Sequence, residues 1–123
     1  MNRKQLEEYI EETYSAEPEH PWAPETMHTV FRHGNNRKWF AVIMDIPKVK
    51  LGIKEDGMIS IVNLKCDPVM TGSLLMEKGI YPAYHMNKAN WVSAAFDGRA
   101  EEDKVKLLVE LSFALTAKKV KRK

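Results

Sequence analysis

The sequence predicts an α+β fold in which an antiparallel β-sheet packs against helices from the start, the middle and the end of the chain. Apolar residues recur at helical spacing in three separate stretches, whereas between residues 27 and 65 they follow the patterns of strands. The order helix, hairpins, helix, strand, helix does not alternate as a parallel sheet requires. We therefore expect one domain over residues 1–123, with a sheet of two hairpins and one further strand, and a basic tail at 118–123.

The first helix is predicted over residues 3–15. Leu6 and Ile10 fall on one face at helical spacing. Asn2 and Gln5 form a capping-box pattern, in which each side chain accepts a hydrogen bond from the backbone N–H of the other residue. The helix is therefore expected to start beside Asn2 and to bury one apolar stripe.

Residues 17–26 contain three prolines and favour an extended connector over a helix. Trp22 lies between two of these prolines. Its indole can bury a large apolar area, which favours a plug that pins the connector onto the sheet. The alternative is an exposed aromatic platform on which a ligand stacks.

Two hairpins are predicted after the connector. The first contains turn residues at 34–36. The second joins residues 49–53 to residues 58–65, after Pro47 interrupts the preceding strand. Apolar side chains occupy both alternating sets from Trp39 to Met44, so we expect this strand to be central in the sheet and covered on both faces.

Two further helices are predicted, one on each side of a strand from Trp91 to Phe96. Asp67 followed by Pro68 is the pattern of an N-cap and a first-turn proline. The last helix follows acidic residues at 101–103, which complement the positive end of its dipole. The predicted buried face of the middle helix is Met70, Leu74 and Leu75, and that of the last helix is Val105, Leu108, Leu111 and Leu115.

The charge is moderate and unevenly distributed. The net charge is +2, and residues 1–30 carry two basic against seven acidic side chains. Residues 31–117 carry 12 basic against 10 acidic side chains, a smaller excess than a dedicated nucleic-acid-binding domain has.

Cys66 is the single cysteine, and no apolar run is long enough to span a membrane. We therefore expect a monomeric cytoplasmic protein with no membrane association, no cofactor and no metal site.

The stretch from Tyr81 to Trp91 is the most chemically varied part of the chain. His85 has two interpretations: a hydrogen-bonded support for the turn, or a ligand-contacting group whose imidazole changes charge near neutrality. Lys65 ends the preceding strand and, with Lys88, could flank the N-terminus of the middle helix as an anion site. The candidate ligand-binding residues are Lys65, Tyr84, His85, Asn87, Lys88 and Trp91.

Several motifs resemble those of the MmcQ/YjbR family of small bacterial proteins. They are LKCDP at 64–68, PAYHMNKANW at 82–91 and SFAL at 112–115, with HPWAP at 20–24 and RKWFAVI at 37–43 as further matches. Trp39 stands where the family usually has Met, and Phe113 stands where Tyr is common. The resemblance implies an α+β fold of the CyaY-like or "double wing" kind, for which DNA binding is proposed by structural analogy.

Three classes of function remain open. The resemblance favours a non-enzymatic module that binds DNA weakly through its phosphates, for which the candidate residues on the hairpins are Arg32, Arg37, Lys38, Lys48, Lys50 and Lys54. Lysines at strand edges also prevent aggregation, which is the structural alternative. The second class is a module that binds a protein partner or a small ligand through the Tyr81 to Trp91 surface. An enzyme is the least supported class, because no glycine-rich phosphate loop, C-x-x-C, H-E-x-x-H or G-x-S-x-G motif is present.

Overall fold

The computed structural model describes residues 1–117, which form three α-helices, five β-strands and one 3₁₀ turn. The elements in chain order are α1 (Arg3–Tyr14), β1 (Thr29–Arg32), β2 (Trp39–Pro47), the 3₁₀ turn (Lys48–Leu51), β3 (Met58–Lys65), α2 (Pro68–Leu74), β4 (Ile80–Pro82), β5 (Trp91–Ala95) and α3 (Glu102–Thr116). The predicted basic tail at 118–123 lies outside the described residues. The α+β fold expected from the sequence is confirmed.

The strands form one antiparallel sheet in the order β1-β2-β3-β5-β4. β2 lies between β1 and β3, and its central residues are buried, as the apolar pattern predicted. The short strand β4 was not among the predicted strands. It pairs with β5 on one side only and forms an edge of the sheet. Proline is tolerated in an edge strand because one side of that strand needs no hydrogen-bond partner.

The predicted second hairpin is wrong in its first strand. β2 continues to Pro47, which pairs with Met58, so β3 pairs directly with β2. The intervening residues form the 3₁₀ turn, which ends at Gly52 with a positive φ of 80°. Their alternating apolar pattern arises because Leu51 and Ile53 pack against the sheet while the chain reverses.

The helices begin where their capping residues predicted. The Asn2 side chain accepts a hydrogen bond from the Gln5 backbone N–H at 2.8 Å, and the Gln5 side chain accepts one from the Asn2 N–H at 2.8 Å. Asp67 accepts a hydrogen bond from the Val69 N–H at 2.9 Å at the start of α2. These contacts satisfy N–H groups that have no partner inside the helix.

All three helices contribute to a core on one face of the sheet. Leu6 and Ile10 of α1, Leu74 of α2 and Leu108 of α3 share this core with side chains of the strands. The sequence placed Leu115 in the buried stripe of α3, but it is 47% exposed. Met70 of α2, also predicted to be buried, is 42% exposed.

Two hydroxyl side chains of α3, those of Ser112 and Thr116, are buried against the sheet. The sequence pattern had predicted the neighbouring Leu111 and Leu115 for this face. Ser112 Oγ donates a hydrogen bond to the Phe40 carbonyl at 2.6 Å and accepts one from the Lys65 N–H at 2.9 Å. Thr116 lies 2.8 Å from the ring nitrogen Nε2 of His33. These contacts let α3 dock directly on backbone and ring atoms of the sheet, which explains why its buried stripe is partly polar.

The opposite face of the sheet carries a second, smaller apolar cluster, which the loops cover. Its strand residues are Val30, Val42, Met44, Ile46, Ile59, Ile61 and Ala95. Leu51 and Ile53 pack against them from the 3₁₀ turn and the residues just after it, and Tyr84 packs against them from the segment that follows β4. Because loops cover a sheet less completely than helices, this loop-covered face is where a cleft remains.

Candidate functional site

A bulge in β2 turns Trp39 toward the loop-covered face. Phe31 of β1 pairs with Ala41. The next residue of β1, Arg32, pairs with Trp39, so β2 has one extra residue, Phe40, at this point. Side chains alternate along a regular strand, which would place Trp39 on the same face as Ala41, toward the helices. The extra residue reverses this orientation, and Trp39 packs beside the loop-covered cluster.

The loop-covered face contains an open cleft of about 650 Å³, which we term the aromatic cleft. Its lining residues come from the proline-rich connector, from β2 and from the turn after β4: Pro21, Trp22, Glu25, Thr26, His28, Trp39, Met44, His85 and Met86. Most of its lining is aromatic or apolar, with a few polar groups. This composition is typical of sites that bind small molecules.

The connector forms one wall of the cleft through Trp22. The connector is attached to the sheet by two hydrogen bonds between Glu19 and Val30, of 2.8 and 2.9 Å. The Trp22 ring lies 5.6 Å from the Trp39 ring at 84°, and 5.9 Å from the His28 ring. Trp22 is nevertheless 38% exposed. It therefore combines the two predicted roles, since it packs on the sheet and also presents aromatic surface to the cleft.

The turn after β4 forms the opposite wall. Asn63 of β3 donates a hydrogen bond to the Tyr84 carbonyl at 2.9 Å, and the Tyr84 N–H donates one to Ser93 Oγ of β5 at 2.9 Å. Ser93 in turn donates a hydrogen bond to Asn63. Both polar side chains are fully buried, so the sheet itself fixes this turn.

His85 projects from this wall. Its backbone has a positive φ of 57°, its ring stacks on that of Tyr84 at 4.0 Å, and the residue is exposed. Within residues 1–117, no hydrogen bond is formed by its ring. Asn63 and Ser93, rather than His85, therefore support the turn, and the imidazole is free to face a ligand.

Glu25 is the acidic residue of the cleft lining, and the lining contains no lysine or arginine. Burial lowers the pKa of His28 below its usual 6.5, and the nearby Arg3 lowers it further. Asp45 acts in the opposite direction, and His85 adds to the lowering. The His28 ring is therefore neutral near neutral pH, and Glu25 is the acidic side chain beside it in the lining.

The six predicted ligand residues do not form one site. His85 lines the cleft, and Tyr84 stacks beneath it. Lys65 and Trp91 pair with each other where β3 ends and β5 begins. Asn87 and Lys88 lie in the turn between His85 and Trp91. The Asn87 side chain accepts a hydrogen bond from the Ala89 N–H at 2.9 Å, and Lys88 is exposed.

The six predicted basic residues fall into two groups at opposite ends of β2. Arg32, Arg37 and Lys38 lie at the β1–β2 turn, whereas Lys48, Lys50 and Lys54 lie in the β2–β3 connection. The nine residues of β2 separate the groups by roughly 30 Å. Three of the charges are paired: Glu19 binds Arg32 at 3.1 Å and Arg37 at 3.3 Å, and Glu55 binds Lys48 at 3.3 Å.

Sequence reasoning missed several cleft residues. Glu25, His28, Met44 and Met86 were not singled out, because nothing local indicates that their segments meet. A usable signal was present in the strands: Asn63 and Ser93 are polar residues inside apolar runs, and such residues need a buried partner.

In the part of the chain that the structure describes, no three His, Cys, Asp or Glu side chains gather as metal ligands. No helix within residues 1–117 is long and apolar enough to cross a membrane.

Comparison with known proteins identifies the family. Residues 11–115 match the family model described as YjbR. The chain belongs to the YjbR family. It is 34% identical over 116 residues to the uncharacterised protein YyaQ of Bacillus subtilis (strain 168), which covers 94% of this chain and 98% of YyaQ. The resemblance noted from the sequence motifs is thus confirmed.

Three solved structures are similar to this chain in fold. A crystal structure of a Pseudomonas syringae protein is 43% identical and superposes with a TM-score of 0.92, covering 95% of this chain and 100% of that one. A solution structure from the same organism is 41% identical, with a TM-score of 0.89 and coverage of 100% and 98%. A Deinococcus radiodurans protein at 23% identity and a TM-score of 0.65, covering 91% and 75%, shares the fold alone.

Proposed function

We propose that this YjbR protein is a binding module that holds a small ligand in the aromatic cleft. The observation that carries the proposal is the convergence of Trp22, Trp39, His28 and His85 on one opening of about 650 Å³. Ligand pockets usually measure about 300–1,000 Å³, and aromatic walls with a few polar groups are their common composition. The connector and the turn after β4, which form its walls, are both hydrogen-bonded to the sheet.

The arrangement favours binding over catalysis. Acid–base catalysis by a histidine needs a partner that orients the imidazole and sets its protonation state. Among the described residues, neither His28 nor His85 forms a side-chain hydrogen bond with a carboxylate. Their rings serve the proposed site as flat polar surfaces that contact the ligand.

The three tryptophans provide the test. Trp22 and Trp39 line the cleft, whereas Trp91 does not and serves as an internal control. The protein is titrated with indole, benzyl alcohol, benzoate and benzyltrimethylammonium, and the indole N–H resonances are followed by NMR. We expect at least one probe to shift the resonances of Trp22 and Trp39 but not that of Trp91. If every probe leaves the two cleft resonances unmoved, the proposal is wrong.

Weak DNA binding through phosphates is the second candidate, and it is favoured by the contacts at the end of α3. Asn36 in the β1–β2 turn donates a hydrogen bond to the Thr116 carbonyl at 2.8 Å. Residues 118–123 begin two positions after Thr116 in the sequence and carry five basic side chains. The β1–β2 turn also carries Lys38, which is exposed. A basic DNA-binding surface is therefore proposed at this end of the sheet, rather than along both hairpins.

A matched pair of variants tests the location. Lys38→Glu changes the end of the sheet where α3 ends, and Lys50→Glu makes the same change at the opposite end of β2. In a low-salt titration with duplex DNA, we expect Lys38→Glu to weaken binding and Lys50→Glu to have little effect. If about three or four phosphates are neutralised, log affinity should fall with log salt at a slope of about −3 to −4.

A chain that ends at Ala117 separates the tail from the folded domain. If this shortened chain loses all binding and Lys38→Glu has no effect in the full chain, the tail alone holds the DNA. Equal weakening by both glutamate variants would instead indicate contacts at both ends of β2, as the "double wing" arrangement requires.

A further inference from the structure

We propose that the ligand of the aromatic cleft is an organic cation, a small molecule that carries a quaternary or tertiary ammonium group; this inference rests on the proposed function of the cleft. Two features of the cleft carry it. The first is the arrangement of the aromatic rings, and the second is the sign of the charge around them.

The rings form a corner that suits a cation. Trp22 and Trp39 stand edge to face at 84° with their centroids 5.6 Å apart, so the two indoles meet in a corner that presents aromatic surface from two directions. The His28 ring adds a third aromatic surface at 72° to Trp22. Tryptophan faces attract cations through the negative potential of the ring, and several rings around an alkylated ammonium group form its usual protein site.

The structure already contains one cation against the Trp39 ring. The Arg32 guanidinium lies 5.4 Å from the centroid of the Trp39 ring, and Arg32 is outside the cleft lining. Its charge is partnered by Glu19 at 3.1 Å, which reduces its repulsion of a second cation. The contact also holds the Trp39 ring in place, so a ligand need not order it on binding.

The charge of the lining favours a cation over an anion. Glu25 supplies a carboxylate, and no lysine or arginine lines the cleft to balance an anionic ligand. The lowered pKa of His28, caused first by burial, keeps that ring uncharged near neutral pH. Met44 and Met86 add polarisable thioethers, which pack well against alkyl groups. An anion would face Glu25 with no compensating contact.

An isosteric pair of probes tests the charge directly. Choline and 3,3-dimethylbutan-1-ol have nearly the same shape, but only choline carries a positive charge. Binding is followed through tryptophan fluorescence and the NMR resonances of the Trp22 and Trp39 indoles. We expect choline to bind roughly tenfold or more tightly than the alcohol, because a desolvated cation–π contact is worth that much.

Variants assign the effect to named residues. Glu25→Gln should weaken choline binding severalfold and leave the alcohol unaffected, whereas Glu17→Gln, on the same connector but outside the cleft, should change neither. Trp22→Leu keeps an apolar wall and removes the indole, so it should weaken choline binding selectively. Glu25 and Glu17 are exposed, so both variants should fold like the wild type.

The outcomes separate this inference from the function on which it rests. Equal or tighter binding of 3,3-dimethylbutan-1-ol, or tighter binding of phenyl phosphate, at the Trp22 and Trp39 resonances would overturn the cationic ligand while the cleft remained a binding site. If no probe of either charge moves these resonances, the proposed function fails and the inference fails with it.

Discussion

The buried pair Asn63 and Ser93 should control both the stability of the protein and the shape of the cleft. In Asn63→Ala, the buried Ser93 hydroxyl loses its acceptor and the Tyr84 carbonyl loses its donor. A buried polar group without a partner costs about 1–3 kcal/mol. Because water can reach the partly buried Tyr84 carbonyl, we expect the change to lower the free energy of unfolding by about 2–4 kcal/mol.

The matched control is Ser60→Ala on the same strand. Ser60 donates a solvent-exposed hydrogen bond to Asp45, so removal of its hydroxyl leaves no buried group without a partner. Changes of this kind usually stay within about 0.5 kcal/mol. Urea unfolding measures both variants under the same conditions.

Hydrogen exchange adds a local measurement. The Tyr84 N–H is bonded to Ser93 Oγ, and Ser93 in turn bonds Asn63. In Asn63→Ala, this amide should therefore lose more protection than amides in the centre of β2. Binding of benzyltrimethylammonium should weaken in the same variant, because the wall that carries His85 is no longer fixed. Equal urea midpoints for Asn63→Ala and Ser60→Ala would refute the assignment of this pair as the anchor.

Three further predictions concern the core, a turn and the pH dependence. Leu108→Ala should lower the free energy of unfolding, measured with urea, by about 2–5 kcal/mol, because this side chain is buried. Leu115→Ala should lower it by less than about 0.5 kcal/mol, because Leu115 is exposed. Gly98→Ala should lower the free energy of unfolding by about 1–2 kcal/mol, because alanine is strained at this positive φ. Gly79→Ala should lower it by more than about 3 kcal/mol, because the added Cβ would also overlap the backbone of Ala100. Equal shifts of the melting temperature for the two variants would contradict this. Burial lowers the pKa of His33 from 6.5, so its neutral form contributes stability that is present above about pH 6.5 and is lost as the pH falls through the folded-state pKa. Thermal melts between pH 8 and pH 5 should show this loss, and His33→Gln should reduce it.

The sequence predicted the elements that local chemistry specifies. The capping box of α1 and the Asp67–Pro68 start of α2 depend on residues within one helical turn, and both are confirmed. The central strand β2 was predicted because apolar residues on both faces leave no other placement for it in a sheet. Family membership followed from motifs that are specific in themselves.

The elements that failed depend on contacts between distant segments. Residues 49–53 have an alternating apolar pattern, but whether they pair as a strand depends on β2, which already pairs with β3 as far as Pro47. In α3, Ser112 faces inward because it bonds the Phe40 carbonyl of β2, and no rule on helix periodicity anticipates a polar residue there. The cleft was missed for the same reason, since its walls come from three separate segments.

The bulge in β2 links the two faces of the sheet. Because β2 has one extra residue opposite β1, Phe40 and Ala41 both lie on the side of the helices, and the Phe40 carbonyl accepts the hydrogen bond that docks α3. The same extra residue directs Trp39 to the other face, where it forms the corner with Trp22. Side chains alternate strictly along a regular strand, so Trp39 could not face the loops while Phe40 and Ala41 both face the helices. The irregularity in β2 therefore places the helical core and the aromatic cleft on opposite sides of a single strand.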